Sequence, residues 1–351
     1  GTAVAVTTQS SAAAAPCRWT RSRAPGPIEA VVINAGNANA ATGPDGERHT
    51  AEMARATAEA LGCATDHVLV CSTGVIGVPL PIGSVTSAIV EAASSLDASM
   101  ERAAQAILTT DTCTKVAGAQ VAGVTVGGFA KGSGMIHPNM ATMLGFLATD
   151  VSAPPEALQS LLQDVTDRSF NAITVDGDTS TNDTVILQAT GCGLAAAPGE
   201  PAWEALREAL LTTCTTLARA IARDGEGASR LLEVRVDGLG DDAAARAAAR
   251  AVARSPLVKT AIHGCDPNWG RIVGALGAAG VDGLDTLNLT LAGHPVLAEA
   301  RPLPFDEGTV SDAMDTDEVV VQITLPGTGQ GLAWGCDLSA GYVTINADYR
   351  T

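Results

Sequence analysis

The sequence predicts a mixed α/β fold of the α+β kind, and three observations carry that expectation. Short apolar, often β-branched runs alternate with amphipathic helical stretches, which points to layered strands and helices. Apolar residues make up 46% of the 351 positions and charged residues only 17%, a balance that fits a large core and not a disordered chain. Glycine and alanine are abundant, which suits close backbone contacts. A chain of this length is expected to form one large or two moderate domains.

In chain order, the opening GTAVAVTTQSSAAAAP lacks a basic n-region and a long leucine-rich core, so it is not expected to be a signal peptide. Ala30–Ile33 and Val68–Cys71 read as strands, each running into a small-residue loop, Asn34–Asn39 and Ser72–Gly74. Thr50–Leu61 reads as a helix with Met53, Ala54, Ala58 and Leu61 near one face, and Gly62 stops it. A second helix is expected over Ser99–Ile107, then a short strand at Val124–Val126 leading into the glycine-rich Gly127–Gly134. Leu144–Leu147 fits a buried strand. Helical periodicity returns at Pro155–Val165 and Ala202–Arg223, and the gap near Ala195–Pro201 is expected to be a flexible loop. Beyond them Leu232–Val236 alternates as a strand and Asp241–Arg254 reads as an Ala/Arg helix. Strands are expected at Thr286–Leu291, Val319–Thr324 and Val343–Ile345.

The formal charge of −17 argues against a phosphate-backbone binder, so no nucleic-acid partner is expected, and a cationic or neutral small substrate is easier to attract. No stretch reaches the ~18 uninterrupted apolar residues of a membrane span. Eight cysteines are scattered with no C-x-x-C and no zinc spacing, which reads as buried free thiols in a reducing cytoplasm. Lys115, Lys131 and Lys259 are the only lysines among 21 basic residues, and each marks a place where a compact ammonium, in contrast to a planar guanidinium, could be wanted.

Seven polar, glycine-rich segments fall where the fold should turn: Asn34–Gly43, Ser72–Gly77, Thr109–Thr112, Lys131–Leu144, Val175–Thr184, Asp224–Gly227 and Ser255–Arg271. Ordinary templates fit them poorly. There is no G-x-S-x-G elbow, and Lys131-Gly-Ser lacks the P-loop order. Asp176, Asp178, Asn182 and Asp183 lack EF-hand spacing, so no metal is expected. His137 and His263 read as hydrogen-bonded structural histidines before bases. On residues alone, the reading stops at an α/β enzyme with an unidentified polar site.

Taken in order, the words NAGNANAATG, CSTGVIGVPLP, AILTTDT, GGFAKGSGMIHPNMATMLGFLATD, FNAITVDGDTSTNDTVIL, RDGEGASRLLEV, SPLVKTAIHGCDPNWGRI and GCDLSAGYVTINADYRT closely resemble the ornithine acetyltransferase (glutamate N-acetyltransferase) family of bifunctional arginine-biosynthesis proteins. Only the opening departs. Where the family carries tens of residues and a phenylalanine-threonine word near Ala5–Thr8, this chain has AVTTQSSAAAAPC.

The resemblance implies a self-cleaving acyltransferase fold with an N-terminal threonine nucleophile. The cut falls between Ala141 and Thr142 and gives an α segment 1–141 and an interleaved β segment 142–351, the latter with a smaller C-terminal lobe at about 232–351. Thr142 is then the nucleophile, and Thr73 and Gly74 supply the oxyanion hole, although by themselves they read as an ordinary strand-end turn. Thr109, Thr110, Lys131, Thr142, Glu226, Asn346 and Thr351 are the implied substrate contacts. The implied reaction moves acetyl from N2-acetyl-L-ornithine to L-glutamate in a cytoplasmic α2β2 assembly without a cofactor; some members also use acetyl-CoA. A free N-terminal threonine carries its own amine beside Oγ, with a reference pKa of about 7.7–8.0, suited to a general base. Two other functions compete: an N-terminal-nucleophile aminopeptidase or amidohydrolase, and a non-catalytic amino-acid-binding protein.

Overall fold

The computed structural model describes residues 1–137 and 143–348. Strand and helix alternate as the periodicity predicts, and the chain divides into two units. Among the described residues, one takes Gly1–Asn171 and Asp178–Ala218, the other Ala172–Gly177 and 219–348.

In the first unit the elements are β1 (Thr2–Thr7), α1 (Ala15–Arg21), β2 (Gly26–Pro27), β3 (Ala30–Asn37) and α2 (Gly43–Leu61), then β4 (Val68–Val75), α3 (Ile82–Ala93) and α4 (Met100–Ala106). They continue with β5 (Lys115–Val121), β6 (Val124–Lys131), β7 (Leu144–Thr149), α5 (Pro155–Arg168), β8 (Thr184–Ala189) and α6 (Pro201–Arg223), whose last residues belong to the second unit. Helix α2 starts seven residues before the expected Thr50, with Pro44 in its first turn, and Gly62 ends it at φ +71° as expected. The atypical opening still forms a full strand: β1 pairs with β8 from Thr2↔Ala189 to Thr7↔Thr184.

Six strands form one sheet in the order β2-β1-β8-β7-β6-β5. Its two central strands follow residue 142 in the chain, and the four outer ones precede it. Only β7 and β8 run parallel, joined through α5; the other pairings are antiparallel. Strands β3 and β4 form a separate parallel pair. Leu69, Cys71, Val31 and Ile33 of that pair pack with Leu144, Phe146 and Ile186 of the large sheet. Ala30, Val68 and Val70 pack with Met53, Ala54 and Ile89 of the helices. The β3–β4 pair is therefore a middle layer, with β4 largely buried and β3 partly so, which explains its apolar runs.

The second unit holds β9 (Leu231–Leu239), α7 (Asp242–Arg254), α8 (Pro256–His263), α9 (Trp269–Ala278), β10 (Asn288–Leu291), β11 (His294–Ala298) and β12 (Arg301–Pro302), then α10 (Glu307–Met314), β13 (Glu318–Gly327), β14 (Gln330–Cys336) and α11 (Ala340–Asp348). Its sheet runs β12-β11-β10-β13-β9-β14, with β13 and β9 parallel. Val234, Val236, Val321 and Ile323 pack with Ala245, Ala249 and Val252 of α7 in its core.

Two expectations are overturned here. Val343–Ile345 is helical within α11, because Ser339 Oγ accepts from Gly341 N–H at 3.0 Å and starts a turn that overrides β-branched propensity. Most of Ser255–Arg271 is helix and not loop, since Ser255 Oγ caps α8 by accepting from Val258 N–H and Pro256 sits in the first turn. The cysteines are all free, but only Cys17, Cys71, Cys214 and Cys336 are buried; Cys113 and Cys192 are exposed. Among the described residues, no helix is long and apolar enough to cross a membrane.

Candidate active site

Thr73 and Gly74 lie near the end of β4 and not in a turn after it, because the strand runs on to Val75. The pairing with β3 is regular from Ala30↔Val68 to Gly36↔Gly74 and becomes irregular where Asn37 faces both Thr73 and Val75. Gly74 adopts φ +130°, and a Cβ there would stand 2.2 Å from the carbonyl carbon of Gly36. Only glycine permits that approach. The amides of the neighbouring loops brace this strand end. Ser72 Oγ donates to Asn34 Oδ1 at 2.5 Å, and Asn37 Nδ2 donates to Val78 O at 3.1 Å. Asn182 Nδ2 reaches both Ala38 O at 2.6 Å and Ser72 O at 2.9 Å. Part of the asparagine-rich word therefore serves to satisfy loop carbonyls.

Lys131 closes β6 opposite Leu144 and is only 3% exposed. Its ammonium donates to Thr109 Oγ1 at 2.9 Å and to Thr73 Oγ1 at 3.3 Å. Because Thr73 accepts here, its own hydroxyl hydrogen stays available to a further acceptor. Thr110 follows in the same turn, partly buried.

Beneath this pair lies Asp111. Its Oδ1 accepts from Lys115 Nζ at 2.8 Å and from Gly132 N–H at 2.6 Å, and its Oδ2 accepts from Thr109 N–H at 3.3 Å and lies 3.9 Å from Lys131 Nζ. Burial would raise the Asp111 carboxyl, but the charges of Lys131 and Lys115 outweigh it and hold it below the usual carboxylate range. One buried carboxylate thus orders two lysines, a threonine and the glycine-rich turn. The sequence singles out both lysines and the TTDT segment, but not Asp111, although its i, i+4 spacing to Lys115 is visible there.

Ala141, Thr142 and Thr351 lie outside the described residues. Met143, which follows Thr142, is buried and donates its N–H to Asp183 Oδ1 at 3.1 Å. Asp183, considered for metal binding from sequence, is therefore engaged by backbone.

In the second unit Glu226 is 6% exposed and accepts from Asn346 Nδ2 at 2.7 Å. Their elements are held together at Gly227, where a Cβ would come 2.4 Å from Tyr342 N, and by Ser339 Oγ donating to Gly227 O at 2.6 Å. His263 Nδ1 is 2.6 Å from Asp337 Oδ2, and Asp337 also accepts from Ser229 and Arg230 N–H groups. That pairing fits a hydrogen-bonded structural histidine. The carbonyl of His137 accepts from Thr179 Oγ1 at 3.1 Å.

The ArgJ family model matches residues 1–351. The arginine biosynthesis bifunctional protein ArgJ of Thermosynechococcus vestitus is 47% identical, covering 99% of this chain and 90% of its own length. The protein of the same name from Thermus thermophilus is 51% identical over 93% of this chain and 84% of its own. A crystal structure of the Bacillus halodurans protein of that name aligns with a TM-score of 0.58 at 42% identity, covering 59% of this chain and all of the crystallised one. A match that runs the whole length of the sequence, with identity near one half, settles the relationship: the chain belongs to the ArgJ family.

Proposed function

We propose that the chain is activated by cutting itself between Ala141 and Thr142, and that it then moves acetyl from N2-acetyl-L-ornithine to L-glutamate through acetyl-Thr142. Family membership makes it an acyltransferase of arginine biosynthesis. The observation that carries the finer reading is the Lys131–Thr73 hydrogen bond, which holds a hydroxyl with a spare hydrogen beside Gly74 on a largely buried strand.

In the precursor, Thr142 Oγ attacks the Ala141 carbonyl. The resulting oxyanion takes hydrogen bonds from the Thr73 hydroxyl and the Gly74 N–H. Collapse breaks the C–N bond, leaving an ester on Oγ and a free Thr142 amine, and water hydrolyses the ester. In the mature enzyme that amine accepts the Oγ proton as Oγ attacks the acetyl carbonyl, then returns it to the departing ornithine amine. The amine of glutamate next attacks acetyl-Thr142, and its lost proton restores the hydroxyl. Lys131 and Thr109 or Thr110 are assigned to the substrate carboxylate and Glu226 to the distal ammonium, with Asn346 orienting Glu226 and Thr351 completing the contacts. The bifunctional character named in relatives extends the proposal to acetyl-CoA as a second acetyl donor, and the assembly is proposed as α2β2.

Intact-mass analysis is the test. The expected result is two products, the second beginning Thr-Met-Leu-Gly, and a single uncut species of 35.3 kDa for Thr142→Ala. Normal self-cleavage in that variant would refute the assignment. Formation of N-acetylglutamate, with either acetyl donor, tests the transfer, and native mass tests the assembly.

A further inference from the structure

Asp183 is completely buried immediately ahead of β8, yet it has no ion pair among the described residues. Its Oδ1 accepts the Met143 N–H at 3.1 Å, while its Oδ2 is buried with no hydrogen-bond partner among the described residues. The Thr8 hydroxyl stands close by but gives its hydrogen to Ser180 O at 2.8 Å, and the Thr8 N–H goes to the Asp183 carbonyl at 2.9 Å. Burial pushes the carboxyl well above its ordinary range, and the Met143 N–H, the nearby Thr8 hydroxyl and the Lys131 charge pull it back only in part. An acid group in such a place is costly unless it does something that an apolar residue of the same size cannot do.

The one backbone partner of the carboxyl among the described residues suggests what that is. The Met143 nitrogen belongs to the peptide bond that follows Thr142. Asp183 immediately precedes Thr184, which pairs with Leu144 across the parallel β7–β8 ladder, and the Thr184 N–H donates to Met143 O at 3.2 Å. Residue 143 is therefore gripped on its amide by Asp183, just ahead of β8, and on its carbonyl by Thr184, the first residue of that strand. On the other side of β7, Leu144 pairs with Lys131.

We propose that Asp183 is a positioning residue for Thr142: by fixing the amide on its C-terminal side, it sets the direction of the nucleophilic hydroxyl in self-cleavage and in acetyl transfer. The inference rests on the reading of Thr142 as nucleophile. It makes no claim that Asp183 touches substrate, and the acceptor oxygen, not the acid proton, is the working part.

Full-length chains made by cell-free translation, quenched at intervals and weighed, give the cleavage rate. Asp183→Asn keeps the acceptor, whereas Asp183→Leu keeps the volume and removes it. Loss of one hydrogen bond to a reacting segment is on the order of tenfold in rate. The expected result is cleavage within about threefold of wild type for asparagine and at least about tenfold slower for leucine. In the cleaved leucine enzyme, kcat should fall with KM for N2-acetyl-L-ornithine changed less than about twofold, because substrate contacts are untouched. If leucine cuts as fast as wild type, or asparagine is as slow as leucine, the proposal is overturned. Should the leucine variant lack a cooperative thermal transition, Asp183→Ala takes its place; a tenfold slowing in the asparagine variant overturns the proposal in any case. A wild-type chain that yields no fragment beginning at Thr142 would instead defeat the underlying reading.

Discussion

Asp111 lies between Lys115 and Lys131, 2.8 Å from the first ammonium and 3.9 Å from the second, with all three side chains almost wholly removed from solvent. Replacing it with asparagine would leave two buried cations without their shared counter-charge. Removing one partner of a buried pair costs about 3–5 kcal/mol, and Asp111→Asn is expected in that range by denaturant unfolding. The sign with pH follows from the lowered Asp111 pKa. Its contribution is complete above the ordinary carboxylate pKa and is lost as pH falls through the depressed folded value. The gap between variant and wild type should therefore narrow in acid.

Thr73 offers a sharper functional test. Thr73→Val is close in shape but has neither acceptor for Lys131 nor donor for an oxyanion, whereas Thr73→Ser keeps both. Loss of one oxyanion donor typically costs about 10²–10³ in rate. The valine variant should show that loss in both cleavage and acetyl transfer, measured by timed intact mass and by N-acetylglutamate formation. The serine variant should stay within about tenfold of wild type. Equal activity in valine and wild type would remove Thr73 from the chemistry.

Gly36 and Gly74 face each other across β3 and β4, and both have positive φ, but they differ in space. A Cβ on Gly36 meets nothing within 4 Å, while one on Gly74 meets backbone at 2.2 Å. Gly36→Ala is expected to cost only about 1 kcal/mol of backbone strain. Gly74→Ala must push the strands apart, so it should lower the melting temperature several times further and abolish cleavage. Similar melting temperatures for the two would contradict the close approach.

Asp183 is expected to make stability fall as pH rises, opposite to Asp111. Its folded pKa is raised, so between its unfolded value, near 4, and the folded value the native chain holds the extra proton. Stability is therefore lost as pH climbs through that window. Asparagine at 183 does not titrate. In an uncut Thr142→Ala background, the melting temperature of the Asp183→Asn variant relative to its parent should rise between pH 4 and pH 8. A constant difference would mean that the carboxyl is ionised throughout.

The lysine count is the part of the site most legible in the sequence. All three lysines prove to be interior, Lys115 and Lys131 around Asp111 and Lys259 with its ammonium on the Cys336 carbonyl. Arginine, larger and planar, would not fit those roles. Apolar periodicity located β3, β4, β7, α5 and α6 within a few residues, because each presents a buried face. Short strands such as β2 and β12, and the helix over Val343–Ile345, were not legible. Their conformation is set by partners distant in sequence or by a single capping hydroxyl. The role of the Asp183 carboxyl escaped for a related reason, since the Met143 N–H that its Oδ1 accepts is 40 residues away and belongs to the backbone.

The strand order β2-β1-β8-β7-β6-β5 gives the proposed cut a thermodynamic corollary. Uncut, the sheet refolds as a first-order process. Once the backbone is opened ahead of β7, melting also separates two polypeptides, each with strands whose ladders the other completes, so refolding becomes second order. The apparent melting temperature of the mature form should then depend on protein concentration, and that of an uncut Thr142→Ala chain should not.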